Sequence, residues 1–151
     1  MFKKTFIVIL FSLVLSNCGY VSVYKGGQDL DYKVSVVGLS GDRDMGILIK
    51  SKLDKFSKVK TDKNFEVKIN TTYTKNITAK DTTGQATDYQ IRVVATFIIE
   101  TEELNKKINI TETFNVKALS DKFEEQRYEK IIKGNMANTI VKKLTIQLSR
   151  N

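Results

Sequence analysis

The sequence contains no His, no Pro and no Trp, and a single Cys, Cys18. Without His, the usual proton carrier at neutral pH and the commonest zinc ligand are both missing. Ser–His–Asp and Cys–His nucleophiles are therefore excluded. One thiol can neither close an internal disulfide nor supply the several sulfurs of a zinc cluster. Arg is scarce too: Arg43, Arg92, Arg127 and Arg150 are the only guanidinium groups among 25 basic residues. Clustered Arg recognition of bases or phosphates is thus poorly supported, and no glycine-rich phosphate loop is present. The composition argues against an enzyme, a cofactor and a nucleic-acid partner. At 151 residues, one small domain is the ceiling.

What is present begins with the N-terminus. Lys3 and Lys4 open a positive start, and Phe6-Ile7-Val8-Ile9-Leu10-Phe11 continues through Leu13, Val14 and Leu15. At about 1.5 Å per residue this apolar run reaches about 16 Å, against a hydrocarbon core of about 30 Å. It is too short to span a membrane and has the layout of a secretory signal peptide over residues 1–17. The segment Leu15-Ser16-Asn17-Cys18-Gly19 resembles a bacterial lipoprotein signal, in which the Cys becomes the acylated first mature residue. Cys18 is then the lipid attachment site, and several acyl chains at about 0.8 kcal/mol per buried methylene anchor firmly. In lipoproteins of this kind, Gly19 after the Cys implies the outer membrane of a Gram-negative cell. Residues 18–30, with Gly26-Gly27, read as a flexible tether.

Four later stretches alternate with period two. Tyr32, Val34 and Val36 share one face of the first. In the second, Phe65, Val67, Ile69, Tyr73 and Ile77 oppose Glu66, Lys68, Asn70, Thr72 and Asn76. In the third, Ile91, Val93, Ala95, Phe97 and Ile99 oppose Gln90, Arg92, Thr96 and Glu100. The fourth sets Ile108, Ile110, Phe114, Val116 and Ala118 against Asn109, Thr111, Thr113, Asn115 and Lys117. Such alternation predicts a sheet with one covered face and one wet or partner-facing face. Met45, Leu48, Ile49, Leu53 and Phe56 instead follow helical spacing after a capping Ser40-Gly41-Asp42. Tyr128, Ile132, Met136, Ile140, Leu144 and Leu148 recur every fourth residue, with Gly134 as a point of bending or close approach. The fold predicted for residues 31–151 is an α+β two-layer sandwich of order β-α-β-β-β-α. A four-stranded, mostly antiparallel sheet carries two helices packed on one face.

The remaining signals are weak. Asn70, Asn76 and Asn109 open Asn-x-Thr triplets that reflect Asn- and Thr-rich strands. Glu100-Thr101-Glu102-Glu103 has the residue types of a metal or acid–base pair, but a solvated hairpin tip explains it as well. A hydrolase using Glu102 with Glu124 or Asp121 has nothing in the spacing to support it. Lys50, Lys52, Lys55, Lys58 and Lys60 run around the first helix end, where the helix dipole stabilises cations without any ligand. The formal charge of +8 suits lipopolysaccharide or anionic phospholipid headgroups outside the cytoplasm, or simply a solubilising surface.

Three features together resemble a family, the lipopolysaccharide-assembly (LptE-like) lipoproteins. They are the opening Cys18-Gly19-Tyr20 with Tyr24, the turn Gly84-Gln85-Ala86-Thr87-Asp88-Tyr89-Gln90, and the closing helix from Tyr128-Glu129-Lys130-Ile131-Ile132 through Ile140-Val141-Lys142-Lys143-Leu144. The resemblance implies a non-catalytic plug and assembly partner inside an LptD-type outer-membrane β-barrel, assisting lipopolysaccharide transport and insertion. It also implies that Thr82, Thr83, Gly84 and Gln85 form a partner-facing turn. Family members often carry a basic residue where Thr82 and Thr83 stand here, leaving Lys80 as the nearest cation and, with Lys130, a candidate lipopolysaccharide contact. Lys130 falls where members can carry a ligand-facing Lys. A free-standing, periplasm-facing lipid-binding or envelope-maintenance lipoprotein is the alternative.

Overall fold

The computed structural model describes residues 32–101 and 105–150. The expected signal peptide, Cys18 with its tether, and Glu102 and Glu103 lie outside the described residues. The chain runs through strand β1 (Lys33–Gly41), helix α1 (Arg43–Leu53) with a 3-10 turn (Asp54–Lys58), β2 (Asn64–Lys80), β3 (Ala86–Glu100), β4 (Asn105–Lys117) and helix α2 (Lys122–Leu148). The observed order is the predicted one.

The four strands form one sheet in the order β1-β2-β3-β4. β1 and β2 are parallel, joined across α1, and the other two pairs are antiparallel. Alternation decides which side is dry. Phe65, Val67 and Ile69 of β2 are buried with Ile91, Val93, Ala95, Phe97 and Ile99 of β3 and Ile108 and Ile110 of β4. Met45, Ile49 and Leu53 of α1 and Ile132, Met136, Ala137, Ile140, Val141, Leu144 and Leu148 of α2 complete the same core. Each fully buried aliphatic or Phe side chain contributes about 1.5–3 kcal/mol. That gain outweighs any helix propensity, and holds both helices to one sheet face.

Local chemistry places the helices. Gly41 ends β1 at φ +82, and a Cβ there would sit 2.0 Å from the Thr71 carbonyl oxygen. That closeness lets the Asp42 N–H donate to Thr71 O at 2.7 Å while the Thr71 hydroxyl donates to Asp42 O at 2.7 Å. The Asp42 carboxylate then caps α1 by accepting from Met45 N at 2.9 Å. Asp121 caps α2 by accepting from Phe123 N and Glu124 N. At the other end of α2, the buried Tyr32 hydroxyl donates to Thr145 O, and its ring meets Phe65 edge-on at 5.5 Å.

The helix layer is shorter than the sheet. The start of α2 lies level with Lys75, which reaches Glu125, and β2 continues five residues further to Lys80. At about 3.3 Å per residue the β2–β3 hairpin overhangs by about 17 Å. This corrects part of the periodicity. Ile77, on the overhang, has the core parity but is 51% exposed; Phe114, level with Lys75 at the edge of the helix layer, is 43% exposed, while Val116 beyond it stays buried. Tyr128 is 42% exposed, because the first turns of α2 turn Glu125 and Glu129, rather than Tyr128, toward β2. Phe56 packs in the core from the 3-10 turn and not from the helix itself. Gly134 has no atom within 4 Å of a built Cβ, so no close approach requires it.

Candidate functional site

Three surfaces bear on function. The first is the turn at the hairpin tip. Asp81 Oδ1 accepts from Thr83 N (2.8 Å), Thr83 Oγ1 (2.7 Å) and Gln85 N (2.9 Å), and Gly84 N donates to Asp81 O. Gly84 supplies the left-handed φ of +85 that closes the turn. Hydrogen bonds from Thr83, then from Gln85, hold the Asp81 carboxyl below the usual carboxylate range. The side chains of Thr82 and Gln85 are exposed, whereas the Thr83 hydroxyl is engaged by Asp81. Lys80 is exposed on the hairpin arm opposite Ala86.

The second is a groove of about 500 Å³ between α1 and the first half of α2, lined by Asp44, Ile47, Leu48, Gln126, Glu129, Lys130 and Lys133. Lys130 is exposed on its wall, and Ile47 gives it an apolar side that is 48% exposed. Lys130 and Lys80 therefore belong to separate surfaces, one between the helices and one on the overhang.

Two residues that line the groove, Glu129 and Lys133, belong to a charge cluster. Lys75 Nζ lies 2.8 Å from Glu125 Oε1 and 2.9 Å from Glu129 Oε2. The Tyr73 hydroxyl donates to Glu129 Oε1 at 2.6 Å, and Lys133 and Lys122 pair with Glu129 and Glu125. Lys75 also lies over the Tyr89 ring and Lys133 over the Tyr73 ring. The Lys75 hydrogen bond pulls Glu125 below its ordinary value. Burial alone would raise Glu129, but the bonds from Tyr73 and Lys75 outweigh it and the net shift is downward. Burial opposes the Lys75 charge, yet its two carboxylate partners hold its pKa above 10.5. Burial and then Glu129 drive the Tyr73 hydroxyl strongly upward. Nearby, Glu112 Oε1 is buried with no well-angled hydrogen bond, so the Lys143 charge at 2.5 Å compensates it.

The third is the helix-free sheet face. Cross-strand rungs there read Thr72–Val94–Thr111, Thr74–Arg92–Thr113 and Asn76–Gln90–Asn115. Thr96 donates to Asn109 at 2.8 Å and Gln90 to Asn115 at 3.2 Å. This is a broad, mostly uncharged carpet of hydroxyls and amides, able to exchange hydrogen bonds with a polar surface without burying many charges. Among the described residues no three of His, Cys, Asp and Glu converge as metal ligands, and no helix is long and apolar enough to cross a membrane.

Sequence reasoning missed the cluster of Tyr73, Lys75, Glu125, Glu129 and Lys133. A signal existed: Lys75 interrupts the apolar parity of β2 between Tyr73 and Ile77, and Glu125, Glu129 and Lys133 recur at every fourth residue.

No protein-family model matches the chain, and no curated protein matches it in sequence. Solved structures do match in fold. Rare lipoprotein B from Shewanella oneidensis is similar with a TM-score of 0.57 at 12% identity, over 78% of this chain and 97% of that one. A Caulobacter crescentus CB15 chain assigned as a lipoprotein is similar with a TM-score of 0.53 at 9% identity, over 76% and 88%.

Proposed function

We propose that the chain is a non-catalytic outer-membrane lipoprotein, acylated at Cys18, that plugs and helps assemble an LptD-type β-barrel and assists lipopolysaccharide transport. The observation that carries this is the helix-free sheet face with its Asn, Thr and Gln rungs. A barrel lumen is polar, so a plug needs a broad surface of neutral donors and acceptors rather than an apolar interface. The fold shared with bacterial lipoproteins, and the signal-like residues ending at Cys18, support the same reading. The overhanging hairpin, with Thr82 and Gln85 exposed at its tip, is the part built to reach furthest into a lumen.

Affinity capture of the tagged full-length chain from detergent-solubilised outer membranes tests the proposal. Recovery of one large β-barrel in equal amount is the expected result. Replacing Thr72 and Thr111 by Arg on the carpet should abolish that recovery while leaving the fold intact, since Thr72 and Thr111 are exposed. Capture of the lipoprotein alone, where other barrel complexes survive, would refute the plug.

A second reading rests on the inter-helix groove, whose Ile47 and Leu48 face Lys130 and Lys133. Apolar wall and ammonium groups together suit an acylated anion, as a free-standing lipid-binding lipoprotein requires. Under either reading Lys130→Glu weakens salt-sensitive lipopolysaccharide binding if Lys130 touches the ligand. Unchanged binding removes Lys130 from the site.

A further inference from the structure

One end of the domain collects lysines that the groove, the hairpin and the sheet carpet do not use. The start of β1 pairs with the start of β2, the start of β2 with the end of β3, and the end of β3 with the start of β4. Tyr32, where the described chain begins, is tied to Thr145 in the last part of α2. The 3-10 turn packs on β1 at this end, and Lys33 N donates to Lys63 O across it. The topology therefore brings Lys33, Lys55, Lys58, Lys60, Lys63 and Lys107 to one pole. All but Lys33 are exposed, and none is in an ion pair among the described residues. Asp54 and Glu100 at this pole are neutralised by Lys50 and Lys68. Asp62 and Glu66 carry no such partner, and Glu102 and Glu103 add acid in sequence; the cations still outnumber these four. A helix dipole accounts for Lys50 and Lys52 in the last turn of α1 but not for Lys60, Lys63 or Lys107, which lie off the helix.

We infer that this basic pole docks on the headgroup layer of an anionic phospholipid bilayer, orienting the domain with its hairpin tip away from the membrane. The inference rests on the lipoprotein reading in its free-standing form, since a plug would carry the hairpin into the membrane-spanning lumen instead; an anchor at Cys18 would leave residues 18–31 as the only spacer before the pole. Fully extended, that spacer reaches about 45 Å, so the anchor alone sets no orientation. Lysines add the second signal: each favours an anionic surface by about fivefold within a screening length of about 8 Å. Docked in this way, the pole marks the membrane-proximal end of the domain, and the hairpin is the end that leads away from it.

The test uses the acylated full-length chain in vesicles, three parts phosphatidylethanolamine to one part phosphatidylglycerol, or phosphatidylcholine alone. A fluorophore is placed at the pole (Asn105→Cys) or at the tip (Thr82→Cys), and quenched by a spin label on the lipid headgroup. Stronger quenching at the pole on the anionic vesicles is expected. It should be lost on phosphatidylcholine and in about 1 M salt, where the screening length is about 3 Å. Replacing Lys55, Lys58, Lys60 and Lys63 by Gln should lower the docked-to-undocked ratio by about fivefold per lysine, without altering the thermal melt. Equal quenching at both labels on anionic vesicles, or quenching indifferent to salt, overturns the inference. Flotation with phosphatidylcholine vesicles reports the anchor separately. If that fails, the lipoprotein reading falls, and salt-sensitive flotation with the anionic vesicles still decides for or against the pole.

Discussion

Gly41→Ala separates a backbone requirement from mere turn preference. At φ +82, Ala pays the left-handed penalty of about 1–2 kcal/mol. The new Cβ would lie 2.0 Å from the Thr71 carbonyl oxygen and 2.9 Å from the Thr71 backbone N and C, none of them a flexible side-chain end. The β1–α1 junction must then move away from β2. Both bonds between Asp42 and Thr71 are at risk, at about 0.5–1.5 kcal/mol each. The combined loss is about 2–5 kcal/mol, a large share of a typical domain stability of about 5–15 kcal/mol. Gly84→Ala is the internal control: φ is +85, but no atom lies within 4 Å, so only the conformational penalty of about 1–2 kcal/mol applies. Urea unfolding followed by circular dichroism measures both. If the two variants differ by less than about 0.5 kcal/mol, the close approach to Thr71 contributes nothing and the reasoning fails.

Gly134→Ala should stabilise by about 0.5–1 kcal/mol, since open space surrounds the new methyl and Ala is the better helix former; a lower midpoint in the same assay would contradict this. Lys75→Met should cost about 2–3 kcal/mol near pH 7, because it strands Glu125 and Glu129, which are mostly buried, without their shared cation. The depressed carboxylates of Glu125 and Glu129 contribute stability that is fully present above their unfolded values near 4.5 and is lost as pH falls through the folded ones. Lys75, raised above 10.5, contributes stability present below that value and lost only as pH climbs past the folded one. Lys75→Met should therefore be less harmful at about pH 4 than at about pH 7 in urea titrations, and an equal penalty at both would count against the cluster. Tyr32→Phe removes the donor to Thr145 O and should cost about 1 kcal/mol while leaving the ring against Phe65.

Much of the architecture was legible because parity and helical spacing are local properties. Phe65-Val67-Ile69 and Ile91 through Ile99 announce a half-covered sheet wherever they sit, and Asp81-Thr82-Thr83-Gly84 announces the turn between them. Cover is not local. Ile77 and Phe114 carry the same parity as Ile69 and Ile110, but whether a helix lies above them depends on where α2 begins relative to β2. Lys80 and Lys130 were each candidate lipopolysaccharide contacts from resemblance, one beside the turn and one on the closing helix; the structure gives Lys130 a groove wall and Lys80 an overhanging arm. The groove itself was invisible, since Asp44 and Ile47 are separated from Gln126 and Lys130 by three strands, β2 to β4, in sequence.

The sequence by itself determined the order of strands and helices, the dry face of each, the turn chemistry at Asp81–Gly84 and the cap at Asp42. Each depends on residues a few positions apart, whose alternation, spacing or hydrogen-bonding side chains act along the chain. Only the tertiary structure decided that β1 lies parallel to β2, that Lys75 joins Glu125 and Glu129, and that lysines from β1, the 3-10 turn and β4 gather at one pole. Those are juxtapositions of distant segments. They arise because burying both helix stripes on one sheet face leaves a particular register in which remote charges must pair or face solvent.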